Sequence, residues 1–306
     1  MKKITKIVTH DGSFHTDDIF AVATLSVLLE DRKEAFEIIR TRDEDIIKTG
    51  DYIVDVGGIY DEELNKFDHH QTGGAGKREN GLLYSSFGLV WKKFGIKIAG
   101  GTETAKIIEN KLVVPVDAND NGIDLVKNNI PDVFEYTLQD VFAIFSPTAL
   151  EDEEKDKQFI KALVWAKEIL KREIKRATDQ IEITKIIKDF YKKAGDKRLI
   201  VIDKPRVSRF NIWDALQDFP EPLFAVYGDK EDWSVVSIRK EKNSFSNRKG
   251  FPSAWAGLRK EELRKITGVE EAVFCHNKLF LAVAKSKEGA IKLAELALDY
   301  KLTPNA

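Results

Sequence analysis

The sequence predicts an α/β protein in two parts. A doubly wound, mostly parallel sheet domain occupies residues 1–150, a helical linker 151–195, and a smaller α+β domain 196–306. Three observations predict it. The first half alternates short β-branched runs with helical patterns, as strands and crossover helices do. The stretch from Glu151 to about Ala194 has neither Pro nor Gly and repeats apolar residues at helical spacing. The last third changes to short strands divided by turn residues. A chain of 306 residues is long enough for about two such domains.

The elements follow in order. Ile4 to Thr9 reads as a strand, Asp17 to Leu29 as a helix and Phe36 to Thr41 as a strand. Tyr52-Ile53-Val54-Asp55-Val56 is a nearly continuous apolar run halted by Gly57-Gly58, which suits a strand covered on both faces. Ser85 to Phe94 and Thr102 to Lys111 read as helices, with Ser85 or Ser86 capping the first and Thr102 the second. Phe159, Leu163, Ala166, Leu170, Ile174, Ala177 and Ile181 recur at three- or four-residue steps, giving an amphipathic helix ended by Gly195. Strands are then expected at Leu199 to Ile202, Leu223 to Tyr227, Trp233 to Ile238, Ala272 to Cys275 and Leu279 to Ala284, with a helix from Lys287 to about Asp299.

Composition narrows the function classes. The chain is 42% hydrophobic and 33% charged, so it can bury a core and is not a low-complexity or collagen-like polymer. The 49 Lys+Arg and 51 Asp+Glu leave a net charge of −2, so a nucleic-acid partner has to be held by a local basic patch. The single cysteine, Cys275, excludes an intramolecular disulfide and a cysteine-rich zinc site, and its apolar surroundings make it a buried strand residue. No apolar segment is long enough for a signal peptide or a membrane span, and the expected location is the cytoplasm.

Four of the five histidines lie within the first seventy residues, each beside carboxylates. The segments are Thr9-His10-Asp11-Gly12-Ser13-Phe14-His15-Thr16-Asp17-Asp18, Asp55-Val56-Gly57-Gly58, Asp68-His69-His70-Gln71 and Val116-Asp117-Ala118-Asn119-Asp120-Asn121-Gly122. Three of the four follow apolar runs that look like strands, and ligands of open α/β sheets gather at the carboxyl ends of strands. Carboxylates converging there repel each other unless cations lie among them. Mixed His and Asp donors suit manganese, zinc or iron, and one Asp can bridge two ions. Taken singly, Asp17 or Asp18 reads as a helix cap and Asp120-Asn121-Gly122 as turn chemistry. The ensemble reads as a metal site, since His69 and His70 point apart on any backbone and cannot share one packing role.

These four segments, with Gly250-Phe251-Pro252-Ser253-Ala254-Trp255-Ala256-Gly257-Leu258-Arg259 and Phe274-Cys275-His276, resemble the melanocyte-proliferating-gene family, a branch of the DHH phosphoesterase superfamily. The resemblance spans nearly the whole chain. It implies a DHH-like catalytic domain, a linker and a smaller substrate-binding domain. It also implies the activity described for eukaryotic members, 3′-to-5′ exonuclease action on RNA, while the absence of a transit-like N-terminus here leaves their organellar address behind. By the superfamily pattern His10 and His15 would ligate one metal, Asp17, His69 and Asp117 the second, and Asp55 both. Catalysis would rest on Asp55 and on His70 facing the substrate phosphate, while Asp68 and Asp18 would stand behind the ligands and orient them. One departure is His15, where most DHH enzymes carry an Asp one residue closer to the first histidine.

The expected cofactor is a pair of divalent ions, most simply manganese, which neutralise charge around phosphorus and acidify water. Gly73-Gly74-Ala75-Gly76-Lys77-Arg78 lacks phosphate-loop spacing and reads as a flap beside the site, with Lys77 or Arg78 near substrate. In the small domain, Lys204 to Phe210 holds three basic residues and no acid, and Arg239 to Lys249 five basic residues against one Glu, a local charge of +4. Phe210, Trp213, Phe245, Phe251 and Trp255 lie in or near these runs, and cations interleaved with aromatic rings suit a single strand. Arg209, Arg239, Arg259, His276 and Lys249 are the expected substrate contacts. The expected partner is single-stranded RNA or a short oligonucleotide, with no membrane, and the reading leaves room for a homodimer. Two alternatives stand beside this one: a phosphoesterase acting on short oligonucleotides or small nucleotide phosphates, and a metal-stabilised binding protein without turnover.

Overall fold

The computed structural model describes residues 3–152, 154–228, 232–242 and 244–300. Asn243 of the basic run and Glu153 of the helical stretch lie outside the described residues. The chain divides into two compact units, Met1–Thr178 and Asp179–Ala306.

In the first unit β1 (Thr5–Thr9) leads into α1 (Thr16–Asp31), β2 (Phe36–Arg40), the one-turn α2 (Glu44–Ile47), β3 (Tyr52–Val54) and the two-residue strands β4 (Tyr60–Asp61) and β5 (Lys66–Phe67). The strand order is β2-β1-β3-β5-β4, parallel throughout except where β4 meets β5. Then come α3 (Ser86–Ala99), α4 (Thr102–Ile108), a π-helical stretch Glu109–Val113, α5 (Val114–Asp120), α6 (Leu138–Ala143) and α7 (Lys155–Lys193). The two faces of the sheet are covered unequally. Ile7, Tyr52, Val54 and Phe67 join the main core with α1 and α3, and α1 is buried from Thr16 to Leu29, as its apolar residues all round require. On the other face Val8, Ile47, Ile53 and Val56 form a small separate cluster beneath α2.

Three differences from the sequence reading bear on the site. Strand β3 stops at Val54 because Asp55 adopts φ 55, so Val56 is not a strand residue. The β-branched run before Asp117 is helical, and the fourth segment lies on α5 and not at a strand end. Gly101, not Thr102, is the N-cap of α4, and Ser85 holds the N-cap position of α3 without bonding back to its helix.

The long helix runs unbroken for 39 residues. Its residues Phe159, Leu163, Ala166, Leu170 and Ala177 belong to the first unit's core, and Ile187 to a core of the second. The second unit continues with β6 (Leu199–Ile202), α8 (Arg209–Leu216), β7 (Phe224–Gly228), β8 (Trp233–Ser237), α9 (Lys260–Thr267), β9 (Ala272–Cys275), β10 (Leu281–Ala284) and α10 (Lys287–Asp299). Its sheet has the order β6-β7-β8-β10-β9, with β6 and β7 parallel and the other neighbours antiparallel. Trp213 and Trp255 are core residues on opposite faces of this sheet. Cys275 is buried in β9, and burial pushes its thiol up to about 12.

Candidate metal centre

The carboxyl ends of β1, β3 and β5 bring three of the four segments together. His10 follows β1 and is held by its Nδ1, 2.9 Å from the Asp11 carbonyl oxygen. That leaves Nε2 at 3.0 Å from Asp18 Oδ2 and 3.3 Å from Asp55 Oδ2. The His15 backbone N–H donates to Asp18 Oδ1 at 3.0 Å, so Asp18 fixes both ends of the loop. Asp17 and Asp18 open α1, fully buried.

Asp55 sits where the backbone turns left-handed after β3. Few side chains are at ease there, Asp and Asn among them. Its Oδ1 accepts from the Ser86 hydroxyl at 2.9 Å and lies 3.4 Å from both His69 Nε2 and His70 Nδ1. After β5, Asp68 accepts from the His70 N–H at 3.0 Å and from the Gly58 N–H at 2.5 Å, and its Oδ1 lies 2.8 Å from His70 Nδ1. Asp68 thereby ties the two loops together and orients the His70 ring.

On α5 the two aspartates divide. Asp117 is buried against Arg78 Nη1 at 2.6 Å, the Ser85 hydroxyl at 2.6 Å and the Gly88 N–H at 3.0 Å. Asp120, one turn on, reaches His69 Nε2 at 3.2 Å. The structure thus brings Asp120 to His69 and turns Asp117 toward Arg78. The Arg78 side chain is itself buried, with Tyr84 stacked at 4.2 Å, so its guanidinium is engaged with α5. Asp120, Ser85 and Ser86 are the members that sequence reasoning missed, having taken them for turn and cap residues. The signal that could have found Asp120 is its placement three residues after Asp117, one helical turn along the same face.

The donors gather into three overlapping trios whose ligand atoms lie within 4.8 Å of one another: His10, His15 and Asp55; Asp55, His69 and His70; His15, Asp17 and Asp120. Their charges are unbalanced. Burial raises Asp17 well above the usual carboxylate range, and the charges of Asp55, Asp120 and Asp18 raise it further. Burial also raises Asp18, against the pull of His10. Burial would lower His10, but its bonds to Asp18 and Asp55 outweigh it and push the ring up to about 10. Asp55, also buried, is held well below the usual range by His10 and His69. Asp117 is pushed up to about 6 by burial, against Arg78 and Ser85. The buried Asp17 Oδ1 has no hydrogen-bond partner among the described residues. Crowded nitrogen and carboxylate donors, an orphaned oxygen and trapped protons fit divalent cations, which would take the protons' place.

In the second unit, Arg239 lies 3.7 Å over the Trp213 ring and 5.5 Å from Phe245, while Arg209 lies 4.8 Å over Phe210 and 6.0 Å from Trp213. Phe280 continues the row, 6.4 Å from Trp213 and 4.4 Å from His276, and Arg259 stacks at 4.7 Å on Phe274. Lys249 is not part of it: its ammonium donates to the Leu298 carbonyl at 2.6 Å, near the end of α10. Phe245 and Phe210 are exposed, whereas Phe251 and Trp255 are buried in the core.

Comparison with known proteins places this arrangement in a family. A MYG1 protein of Schizosaccharomyces pombe is 28% identical over 98% of this chain and 99% of its own length. A MYG1 protein of Chlamydia pneumoniae is 30% identical over 96% of each chain, and the human MYG1 exonuclease is 29% identical over 96% of this chain and 85% of its own. Among solved structures, RecJ of Thermus thermophilus in complex with Mn2+ aligns with 97% of this chain and 52% of its own length, at 11% identity and a TM-score of 0.31, a superposition too loose to carry a conclusion. The family profile MYG1_exonuc, described as Uncharacterised protein family (UPF0160), matches residues 6–298, and the chain belongs to that family.

Proposed function

We propose that the chain is a metal-dependent phosphodiester hydrolase, a 3′-to-5′ exonuclease that uses two manganese ions on single-stranded RNA in the cytoplasm. The observation that carries the reading is Asp55, whose two oxygens face different histidine sets, Oδ2 toward His10 and Oδ1 toward His69 and His70. The name of the human relative, an exonuclease, supports the reaction class. Among the described residues no helix is long and apolar enough to cross a membrane.

In this reading His10, His15 and Asp55 hold one ion, and Asp55 and His69 hold the other with Asp17 and Asp120. Asp120 takes the place that the family resemblance gave to Asp117, because Arg78 already neutralises Asp117. When bound, the ions supply charge neutralisation at the phosphate oxygens and lower the pKa of water. His70, with a side chain 61% exposed, faces the phosphate. Asp68 against its Nδ1 holds the ring in orientation and turns Nε2 toward a phosphate or leaving oxygen. Asp18 keeps the His10 ring and the His15 backbone in place. In the second unit, Arg209, Arg239, Arg259 and His276 hold the strand on their aromatic row, and Lys249 serves the fold. The catalytic part spans 1–150, the linker 151–195 and the substrate part 196–306.

The test is the purified protein with labelled single-stranded RNA and DNA, with and without manganese, and products resolved by length. Manganese-dependent shortening of RNA from the 3′ end is expected. Loss of activity on both polymers, with metal content confirmed by elemental analysis, would overturn the reading.

A further inference from the structure

A second cavity opens on the side of the first sheet that only α2 covers. Its volume is about 530 Å³, within the range of roughly 300–1,000 Å³ typical of small-molecule sites. It adjoins the cavity of the metal centre, about 350 Å³, and Arg42, Val56 and Gly57 line both. The wall between them is a tight turn: Gly57 and Gly58 have φ 93 and φ 68, where a side chain is rarely tolerated, so the passage stays bare.

The lining has two characters. Ile47 and Ile53 form a buried apolar floor, and Ile59, 50% exposed, stands at the mouth. Around it stand Arg42, Lys48 and Lys66 against one carboxylate, Glu44. Arg42 lies 3.3 Å from Asp11 and Lys48 lies 3.1 Å from Asp45, both on exposed side chains that water screens, so either cation can turn to a ligand. Lys66 projects from β5 on the face opposite Phe67 and forms no ion pair among the described residues.

Apolar floor and cationic rim together match a nucleotide, with its flat base on the isoleucines and its phosphate on the cations. We infer that this cavity binds the nucleoside monophosphate unit next to the scissile phosphate, with Lys66 and Arg42 on the neighbouring phosphate. The inference rests on the proposed hydrolase reading and deepens it. It sets a minimum substrate of a dinucleotide, since the unit that fills the cavity lies directly beside the cleaved bond.

The test uses full-length protein. Adenosine monophosphate is titrated by calorimetry into EDTA-treated samples of wild type, Lys66→Met and Ile59→Glu. Saturable binding is expected, weakened about ten-fold in each variant by loss of one charge-assisted bond or of the apolar rim. Manganese binding by the same variants, measured by elemental analysis, should equal that of wild type. With manganese present, the KM for a trinucleotide should rise about ten-fold with little change in kcat, as loss of uniform binding requires. Equal affinity for adenosine monophosphate in all three proteins would overturn the inference, as would manganese loss in a correctly folded variant. Wild-type protein that cleaves no oligonucleotide removes the hydrolase reading instead, and the metal-free titration still decides the cavity.

Discussion

Asp55 concentrates the chemistry of the centre in one side chain, and its left-handed backbone makes it testable. Asn tolerates φ 55 as Asp does, so Asp55→Asn keeps the turn and removes the charge. Both ions should be weakened and turnover should fall on the order of a hundredfold or more. Metal content and turnover near wild type would rule out the bridging role. His70→Ala should keep its metal and lose rate by roughly 10²–10⁴, and a large loss of bound metal would contradict its assignment to substrate. The metal-free protein should also show the trapped protons directly. Burial alone would lower His10, but Asp18 and Asp55 push it from 6.5 up to about 10. A histidine raised in the folded state contributes stability that is complete below its unfolded pKa and is lost as pH rises through the folded one. The urea midpoint of metal-free protein should therefore decline between about pH 6.5 and pH 10, and manganese should flatten that slope by replacing the proton. Parallel slopes with and without manganese would mean that His10 is not a ligand. At this scale the residue types of the centre were legible in the sequence, because two His-Asp segments together with two further Asp segments have few other uses. Which aspartate of α5 meets His69 was not legible, because it depends on the buried Arg78, which a Gly-rich run made look like a loop cation.

The elements differ in how openly the sequence declares them. α7 and α10 carry enough turns for an amphipathic period to show and α1 declares itself by its long apolar run, whereas α2, β4 and β5 are shorter than any period. The β-branched run before Asp117 reads as extended in isolation and folds as helix because Val113, Val116 and Ala118 are buried, which overrides propensity. Ser85 and Ser86 show the same limit. A serine pair before an apolar run signals a cap, yet here the hydroxyls turn to Asp117 and Asp55. The junction of α3 and α5 leaves no space for a methyl group: a Cβ at Gly88 would lie 1.9 Å from Asp117 Oδ2. Gly88→Ala should displace Asp117 from Arg78 and cost about 1–3 kcal/mol, the usual range for overpacking. Urea unfolding checks this, and an unchanged midpoint would show that the two helices can part without cost.

At the scale of the whole molecule, a chain of net charge −2 has to concentrate any grip on a polyanion. In the second unit Arg239 and Arg209 both lie over Trp213, and the proposed function puts the grip there. Arg239→Ala should raise the KM for RNA and reduce the slope of log affinity against log salt by about 0.7, one phosphate contact on a single strand. Cleavage of a small chromogenic diester should change little. Equal losses on both substrates, or an unchanged salt slope, would assign Arg239 to the fold. The two-part plan was legible because composition and periodicity change along the chain. The sorting of the basic run was not, since Arg248 and Lys249 are spent on the backbone carbonyls of Phe219, Pro222 and Leu298, and only the fold shows which cations are occupied. The lone thiol gives this half of the molecule a clock of its own. Cys275 is fully buried and its thiol is raised to about 12, so an alkylating reagent meets no thiolate while β9 and β10 stay paired. Modification then proceeds only through transient opening, and its rate relative to that of an unfolded thiol measures the opening equilibrium of the second sheet. Because no other cysteine exists, that signal comes from the second unit alone, and the breathing of that unit can be timed while the first unit is given metal, stripped of it or mutated.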